Sequence, residues 1–288
     1  MTVAFLNGEY LPLSEAKISP MDRGFLFGDG IYEVIPTYAG KPVGLKGHLS
    51  RLASGLSAIE IDNPYDDAMW TSIVLQLATE NAQHIESGNV GVYFHVSRGT
   101  DTKRYHAYPT GVTPTVFAFA FEMAAPQSNS RSSAKVFKVA LEEDKRWQRC
   151  HIKSTSLLGN VMHFQSGVKA GVNETILYNE KGLITEASSC NVFMVKNGMI
   201  KTPPLNNELL PGITRHIALE SFKRANLNVV EEWFSKESLL DADEVWLTSS
   251  SKEVSPVIEI DGNVIGEGEA GEVWERAIRA YHAYKFDA

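Results

Sequence analysis

The stretch Val192-Phe193-Met194-Val195-Lys196-Asn197-Gly198-Met199-Ile200 sets two short apolar runs on either side of an Asn-Gly pair. Asn and Gly readily take the positive φ angles of a type I′ turn, so this stretch reads as a β-hairpin. Asn7-Gly8, Ala39-Gly40 and Asp261-Gly262 also separate short apolar segments and read the same way. Much of the sheet is therefore expected to be antiparallel.

Around these turns lie two kinds of apolar pattern. Leu45, Leu49, Leu52, Leu56 and Ile59 recur every three to four residues, as one face of a helix does. Met69, Trp70, Ile73, Val74 and Leu77 form a second such face; Leu157, Leu158, Val161 and Met162 suggest a third. Ile217, Leu219 and Phe222 predict a fourth helix just after Pro211-Gly212, and Trp274, Ala277, Ile278 and Tyr281 a fifth. Strand-like runs occur at 90–96, 116–121, 136–141, 175–178, 190–195 and 244–248. Helices and strands are mixed without strict βαβ alternation, which predicts a mixed α/β (α+β) fold.

A chain of 288 residues is enough for about two domains at roughly 150 residues each. The polar, small-residue stretch Ala125-Pro126-Gln127-Ser128-Asn129-Ser130-Arg131-Ser132-Ser133 lies between two strong strand patterns. It predicts a small N-terminal domain over 1–124, a connection over 125–134 and a larger domain over 135–288.

The formal net charge is −8, which argues against a nucleic-acid partner, because such proteins carry a basic surface to neutralise phosphates. No apolar run is long enough to predict a transmembrane helix, and the first residues show no signal-peptide pattern. Two cysteines, Cys150 and Cys190, make neither a disulfide framework nor a zinc cluster. A cytoplasmic protein without a metal site is expected.

General motifs for chemistry are absent or weak. The chain has no phosphate loop of the Gly-x-x-x-x-Gly-Lys-Ser/Thr type, no Gly-x-Ser-x-Gly elbow and no His-Glu-x-x-His pair. Gly28-Asp29-Gly30 lacks the third glycine of a dinucleotide fingerprint.

Four segments are more informative together. They are Arg23-Gly24-Phe25-Leu26-Phe27-Gly28-Asp29-Gly30-Ile31-Tyr32-Glu33-Val34; His48-Leu49-Ser50-Arg51-Leu52; Cys150-His151-Ile152-Lys153-Ser154; and Thr185-Glu186-Ala187-Ser188-Ser189-Cys190-Asn191-Val192-Phe193, followed by Leu210-Pro211-Gly212-Ile213-Thr214-Arg215. In this order and spacing they resemble the fold-type IV pyridoxal-phosphate (PLP) aminotransferases over nearly the whole chain. That family includes D-amino-acid and branched-chain aminotransferases, (R)-amine transaminases and aminodeoxychorismate lyase.

The resemblance implies a two-domain architecture with pyridoxal 5'-phosphate at the domain interface. Lys153 would be the Schiff-base lysine, an amine that holds the cofactor and then moves a proton. Glu186 would face the pyridine nitrogen and keep it protonated, with Ser188 and Ser189 beside it. Arg51 would pair with the phosphate, since a guanidinium matches phosphate oxygens with paired hydrogen bonds. The first helical residues Ile213 and Thr214 would offer backbone N–H groups to the same anion. Ser249 and Ser250 would add donors, and Leu210 would pack on the ring.

The resemblance also bears on substrate. The loop Arg98-Gly99-Thr100-Asp101-Thr102-Lys103-Arg104-Tyr105-His106 contains an Arg-x-His element that resembles the D-amino-acid aminotransferases. Arg104 and His106 would bind the substrate carboxylate together with Tyr32, and Val34, also from the first segment, would be a further substrate-binding residue. In that family the loop comes from the neighbouring subunit, which implies a homodimer. The implied reaction is ping-pong transamination of a D-amino acid with a 2-oxo acid acceptor. Branched-chain L-amino-acid transfer, (R)-amine transfer, the lyase reaction and non-catalytic PLP or phosphate binding are the alternatives. Pro36 inside a strand pattern and Cys190 in place of a more usual serine or threonine depart from the family's pattern.

Overall fold

The computed structural model describes residues 2–288. The chain divides into two compact units: the first comprises the residues up to Ala125 together with Ile152–Leu157, the second Pro126–His151 with Leu158–Ala288.

The first unit contains, in chain order, β1 (Val3–Leu6), β2 (Glu9–Pro12), α1 (Arg23–Phe27), β3 (Gly30–Tyr38), β4 (Lys41–Pro42), α2 (Leu45–Ala58), α3 (Asp67–Ala82), β5 (Asn89–Ser97) and β6 (Thr115–Glu122). Its six strands form one antiparallel sheet in the order β2-β1-β6-β5-β3-β4. Side chains alternate across it. Ile31, Ile35, Val92, Phe94, Val96, Val116 and Ala118 are buried in one core with Leu49, Leu52 and Leu56 of α2 and Trp70, Ile73 and Leu77 of α3. The other face is half-buried and aromatic, with Tyr32, Tyr93, His95, Phe117 and Phe119 on neighbouring strands. Pro36 fits β3 because its other neighbour, β4, pairs only with Thr37 and Tyr38, so no ladder bond is lost there.

Ile152–Leu157 joins this unit by backbone pairing to β3. Tyr32 N donates to the Lys153 carbonyl at 3.1 Å, Thr155 N donates to the Gly30 carbonyl at 2.9 Å, and Ile152 is buried in the unit's core. Lys153, expected in the domain over 135–288, therefore lies in the unit that carries Tyr32 and Arg51.

The second unit contains β7 (Phe137–Glu143), α4 (Leu158–Lys169), β8 (Glu174–Tyr178), β9 (Ile184–Ala187), β10 (Asn191–Lys196), β11 (Met199–Thr202), α5 (Ile213–Arg224), β12 (Val229–Glu231), α6 (Lys236–Leu240), β13 (Glu244–Ser249), β14 (Glu253–Ile260), β15 (Asn263–Val264) and α7 (Glu272–Tyr284). Its sheet runs β12-β11-β10-β13-β14-β7-β8-β9, with β15 paired to β14. The pairings β11·β12, β7·β14 and β7·β8 are parallel and the rest antiparallel, so the sheet is mixed. The β10–β11 turn sits on Asn197 and Gly198 with φ of 52° and 74°, as the Asn-Gly pair predicts.

The expected connection over 125–134 is packed against the second unit from Pro126 onward. Buried Gln127 donates its backbone N–H to Glu253 at 2.8 Å and its side-chain amide to the Lys135 carbonyl at 2.8 Å. Arg131 donates to the Ala270 carbonyl at 2.7 Å and to Glu269 at 2.8 Å.

The five helical patterns all form helices, but the third faces the other way. Leu158 (73% exposed), Val161 and Met162 (65%) of α4 point outward, and only His163 and Gly167 are buried. Gly167 explains this orientation: a Cβ there would stand 2.8 Å from Thr175 Oγ1 on β8, so the helix approaches the sheet through its smallest residue.

Candidate active site

In the first unit the site is built on β3 and α2. Glu33 follows Tyr32 and so points to the helix-covered face, where it is fully buried. His48 and Arg51 are three apart on α2 and reach the same spot. Arg51 donates Nε to Glu33 Oε1 and one terminal nitrogen to Oε2, both at 2.7 Å; His48 Nδ1 meets Oε2 at 2.7 Å. Burial alone would raise the Glu33 pKa, but Arg51 first and then His48 outweigh it and hold the carboxyl at about 2. Burial lowers the pKa of His48 against the opposing pull of Glu33, so a neutral imidazole donates Nδ1–H to the carboxylate. The bidentate pair fixes the plane of the Arg51 guanidinium.

Tyr32 lies on the other face of the strand. The Lys153 Nζ stands 4.2 Å from the centroid of its ring, and the ring stacks on Tyr93 at 5.7 Å. Val34 is half-buried on the same face. Arg104 and His106 lie in an exposed loop, where both meet Phe27: the guanidinium carbon is 5.1 Å from the ring centroid and the imidazole 5.4 Å. Among the described residues, the structure brings these two together with Phe27 of their own chain, and Tyr32 together with Lys153.

In the second unit, buried Glu186 on β9 accepts from Arg146 Nη1 at 2.6 Å, from Leu210 N at 3.0 Å and from Asn191 Nδ2 at 3.3 Å. Arg146 is held in turn by Asp144, with Nε–Oδ1 at 3.0 Å and Nη2–Oδ2 at 2.7 Å. Burial raises the Glu186 pKa, and Arg146 and the Leu210 amide moderate that rise. Burial would lower the Arg146 pKa, but Asp144 and Glu186 reverse the effect and raise it. Two carboxylates around one guanidinium leave a net negative charge in a buried place, which suits a cationic N–H as a further partner. Cys150 packs beside this group, and burial pushes its thiol up to about 12, so it stays protonated and unreactive.

Ser188 and Ser189, expected at the cofactor, direct their hydroxyls to Glu174, which is fully buried and also receives Lys252 Nζ at 3.3 Å. Cys190 is buried beside them and its thiol pKa is raised by burial. Ile213 and Thr214 open α5 behind Gly212, which offers no side-chain cap. The first-turn N–H groups of such a helix lack intrahelical acceptors. A Cβ on Gly212 would lie 2.0 Å from Asn191 Oδ1. Ser249 ends β13 and accepts from Lys252 N at 3.2 Å; Ser250 follows, half-buried. Nearby in sequence, the buried Thr248 hydroxyl has no hydrogen-bond partner among the described residues. Among those residues no group of three His, Cys, Asp or Glu is arranged to hold a metal ion, and no helix is long and apolar enough to cross a membrane.

The family profile of amino-transferase class IV matches residues 30–260. The chain is 38% identical over 285 residues to a D-alanine aminotransferase of Staphylococcus haemolyticus, covering 99% of this chain and 98% of that protein. A D-alanine aminotransferase of Bacillus licheniformis is 38% identical over 271 residues, covering 94% and 92%. Among solved structures, the branched-chain aminotransferase of Thermoproteus uzoniensis with norvaline superposes with a TM-score of 0.85, covering 100% of this chain and 96% of that one at 22% identity. The chain belongs to the class IV aminotransferases and has their fold. It is an aminotransferase, and its cofactor is pyridoxal 5'-phosphate.

The residues present fit that group. A phosphate calls for N–H and O–H donors; the uncapped start of α5 and the Ser249–Ser250 hydroxyls supply that donor type. A protonated ring nitrogen calls for a buried carboxylate, and Glu186 is one with its remaining partners already in place.

Three residues of this machinery escape sequence reasoning. Arg146 and Asp144 carry no motif, and their role arises only when the fold brings Arg146 to a glutamate 40 positions away. Glu33 did leave a trace: it occupies a core position in an alternating strand, where a carboxylate needs a partner.

Proposed function

We propose that this protein transfers the amino group of D-amino acids to 2-oxo acids by a ping-pong reaction, with D-alanine or a similarly small D-amino acid as donor. The substrate class is carried by the Arg104-x-His106 element, whose two basic side chains share the Phe27 ring. Its support is the 38% identity to proteins named D-alanine aminotransferases over nearly the full chain.

The bound cofactor supplies an electron sink for the carbanion formed at the substrate Cα. Lys153 Nζ would hold the cofactor covalently and, as a free amine, would take up and give back the proton of the substrate Cα. Glu186, fixed by Arg146, Asn191 and the Leu210 amide, keeps the ring nitrogen protonated. Ile213 and Thr214 amides, with Ser249, Ser250 and Arg51, would bind the phosphate, and Leu210 would pack on the ring. Arg104 and His106 bind the substrate carboxylate with Tyr32, and Val34 lines the substrate side chain.

The protein acts as a cytoplasmic homodimer in this reading. Free, buried Cys150 and Cys190 suit a reducing compartment. The outward row of Leu158, Val161, Met162 and Val168 on α4 suits a face that a second copy covers.

The test is a half-reaction screen of the holoenzyme with D-alanine, D-glutamate and L-leucine. Spectral conversion of the cofactor by the D-amino acids, with L-leucine inert, supports the reading. Conversion by L-leucine alone would replace it with branched-chain transfer, and pyruvate release from aminodeoxychorismate would replace it with the lyase reaction.

A further inference from the structure

Gly28-Asp29-Gly30 carries no dinucleotide fingerprint, yet its carboxylate pairs with two arginines at once. Asp29 Oδ2 accepts from Arg23 Nε at 2.8 Å and from Arg98 Nε at 2.8 Å, and Oδ1 accepts from Arg98 Nη2 at 3.1 Å. The side chains of Arg23 and Arg98 are 3% and 6% exposed and that of Asp29 is 10% exposed. Two largely buried guanidiniums thus share one carboxylate. Without it they would repel each other in a poorly solvated place.

Each arginine has a second task on the 99–108 loop. Arg23 Nη1 donates to the Tyr105 carbonyl at 2.6 Å and Nη2 to the His106 carbonyl at 3.3 Å. Arg98 stacks on the Tyr108 ring at 3.5 Å and donates to the carbonyls of Ile59 and Glu60 at 2.6 and 3.0 Å. The Arg23 amide also donates to the Gly99 carbonyl at 2.9 Å. The loop is otherwise exposed from Thr102 to Tyr108. Phe27, four residues after Arg23 on α1, lies against Arg23 at 4.8 Å as well as against Arg104 and His106. One buried cluster therefore fixes the backbone on which Arg104 and His106 stand, and one ring fixes their side chains.

We infer that Asp29 and Arg23 are positioning residues for substrate recognition: Asp29 clamps Arg23, and Arg23 holds the Tyr105 and His106 carbonyls so that Arg104 and His106 present a preset pair of cations to a carboxylate. The inference rests on the reading of Arg104 and His106 given above. Preset cations bind a carboxylate without the ordering cost of a free loop. Loss of the clamp is therefore felt in substrate binding more than in the chemical step.

The experiment uses the holoenzyme and two variants, Asp29→Asn and Arg23→Lys. Lysine keeps the charge but loses the fork that reaches two carbonyls. Both are expected to raise KM for D-alanine by about tenfold with kcat changed far less. Both are also expected to speed limited trypsin cleavage after Lys103 and Arg104 severalfold, with other sites unaffected. If Asp29→Asn does not fold, Arg23→Lys carries the test alone. Unchanged trypsin cleavage at Lys103 and Arg104 overturns the clamp, as does a fall in kcat with KM unchanged. Arg104→Ala separates the two readings. If it leaves the D-alanine KM unchanged, the carboxylate role of the loop fails, and with it this inference, whatever the cleavage pattern.

Discussion

Arg146 reaches Glu186 at 2.6 Å with neither side chain more than a few per cent exposed, and Asp144 grips the other edge of the same guanidinium. Breaking a buried ion pair by removing one partner costs about 3–5 kcal/mol, because the survivor is left charged and unpaired. Arg146→Met should lower the urea midpoint of the holoenzyme accordingly. Glu186, whose carboxyl burial already raises, should then take up a proton more readily. The cofactor's absorbance should therefore change at a higher pH than in the parent enzyme. An unchanged spectral titration would mean that Arg146 does not tune Glu186.

The Glu33–His48–Arg51 group predicts how acid destabilises the first unit. Glu33 is held at about 2 against an ordinary 4.5, so its stabilising pairing is fully present above the unfolded value and lost as pH falls toward 2. The shift corresponds to about 3 kcal/mol. His48 is depressed too: below its unfolded value of 6.5 the unfolded chain binds a proton that the buried ring resists. Both groups therefore make stability fall as pH falls, His48 from about 6.5 and Glu33 from about 4.5. Urea unfolding as a function of pH should show both limbs, and His48→Gln should flatten the upper one.

Lys153→Ala removes the amine while leaving Tyr32 and its stack on Tyr93. Turnover should drop by about a thousandfold or more. Borohydride reduction and peptide mapping should place the cofactor on Lys153 in the parent enzyme and on no peptide of the variant. Retained turnover would remove Lys153 from the reaction.

Gly212→Ala places a methyl group 2.0 Å from Asn191 Oδ1, and Asn191 also donates to Glu186 and to the Leu210 carbonyl. Something must move, at a cost of about 1–3 kcal/mol. The displaced groups belong to the proposed cofactor cradle, so cofactor affinity, read by dialysis and reconstitution, should fall along with the melting temperature. A lower melting temperature with unchanged affinity would detach Gly212 from that cradle.

Val161→Glu with Met162→Lys on α4 alters only strongly exposed side chains. The monomer fold should tolerate both, while sedimentation should show the proposed dimer weakened. A dimer as tight as the parent's would assign the contact to another face.

What the sequence made legible and what it hid have physical reasons. Asn197-Gly198 announced its turn because positive φ is a local property of two residues. The faces of α2 and α3 were legible because burial repeats with the helical period, although Met69 in the first turn of α3 is exposed. The same rule misled at α4, where spacing revealed the helix but not which side meets the sheet; Gly167 and His163 decided that. Lys153 stood out through its neighbours Cys150 to Ser154, yet its strand-like pairing with β3 depends on residues 121 positions earlier in the chain. Arg146 meets Glu186 40 positions away, and Asp29 meets Arg98 69 positions away, so no short window shows either role, whereas the alternation of β3 does mark Glu33 as a core carboxylate in need of a partner.

The six residues from Ile152 to Leu157 have a consequence for how the polypeptide can be made. A ribosome that has released everything up to Ala125 has not yet released the segment that pairs with the start of β3. The first unit waits for residues synthesised after the opening of the second. A gene cut at the Ala125–Pro126 boundary would thus yield a leading fragment with the Gly30 carbonyl and Tyr32 amide exposed and without Lys153. Such a fragment would gain its last strand partner only when the trailing fragment is supplied in trans.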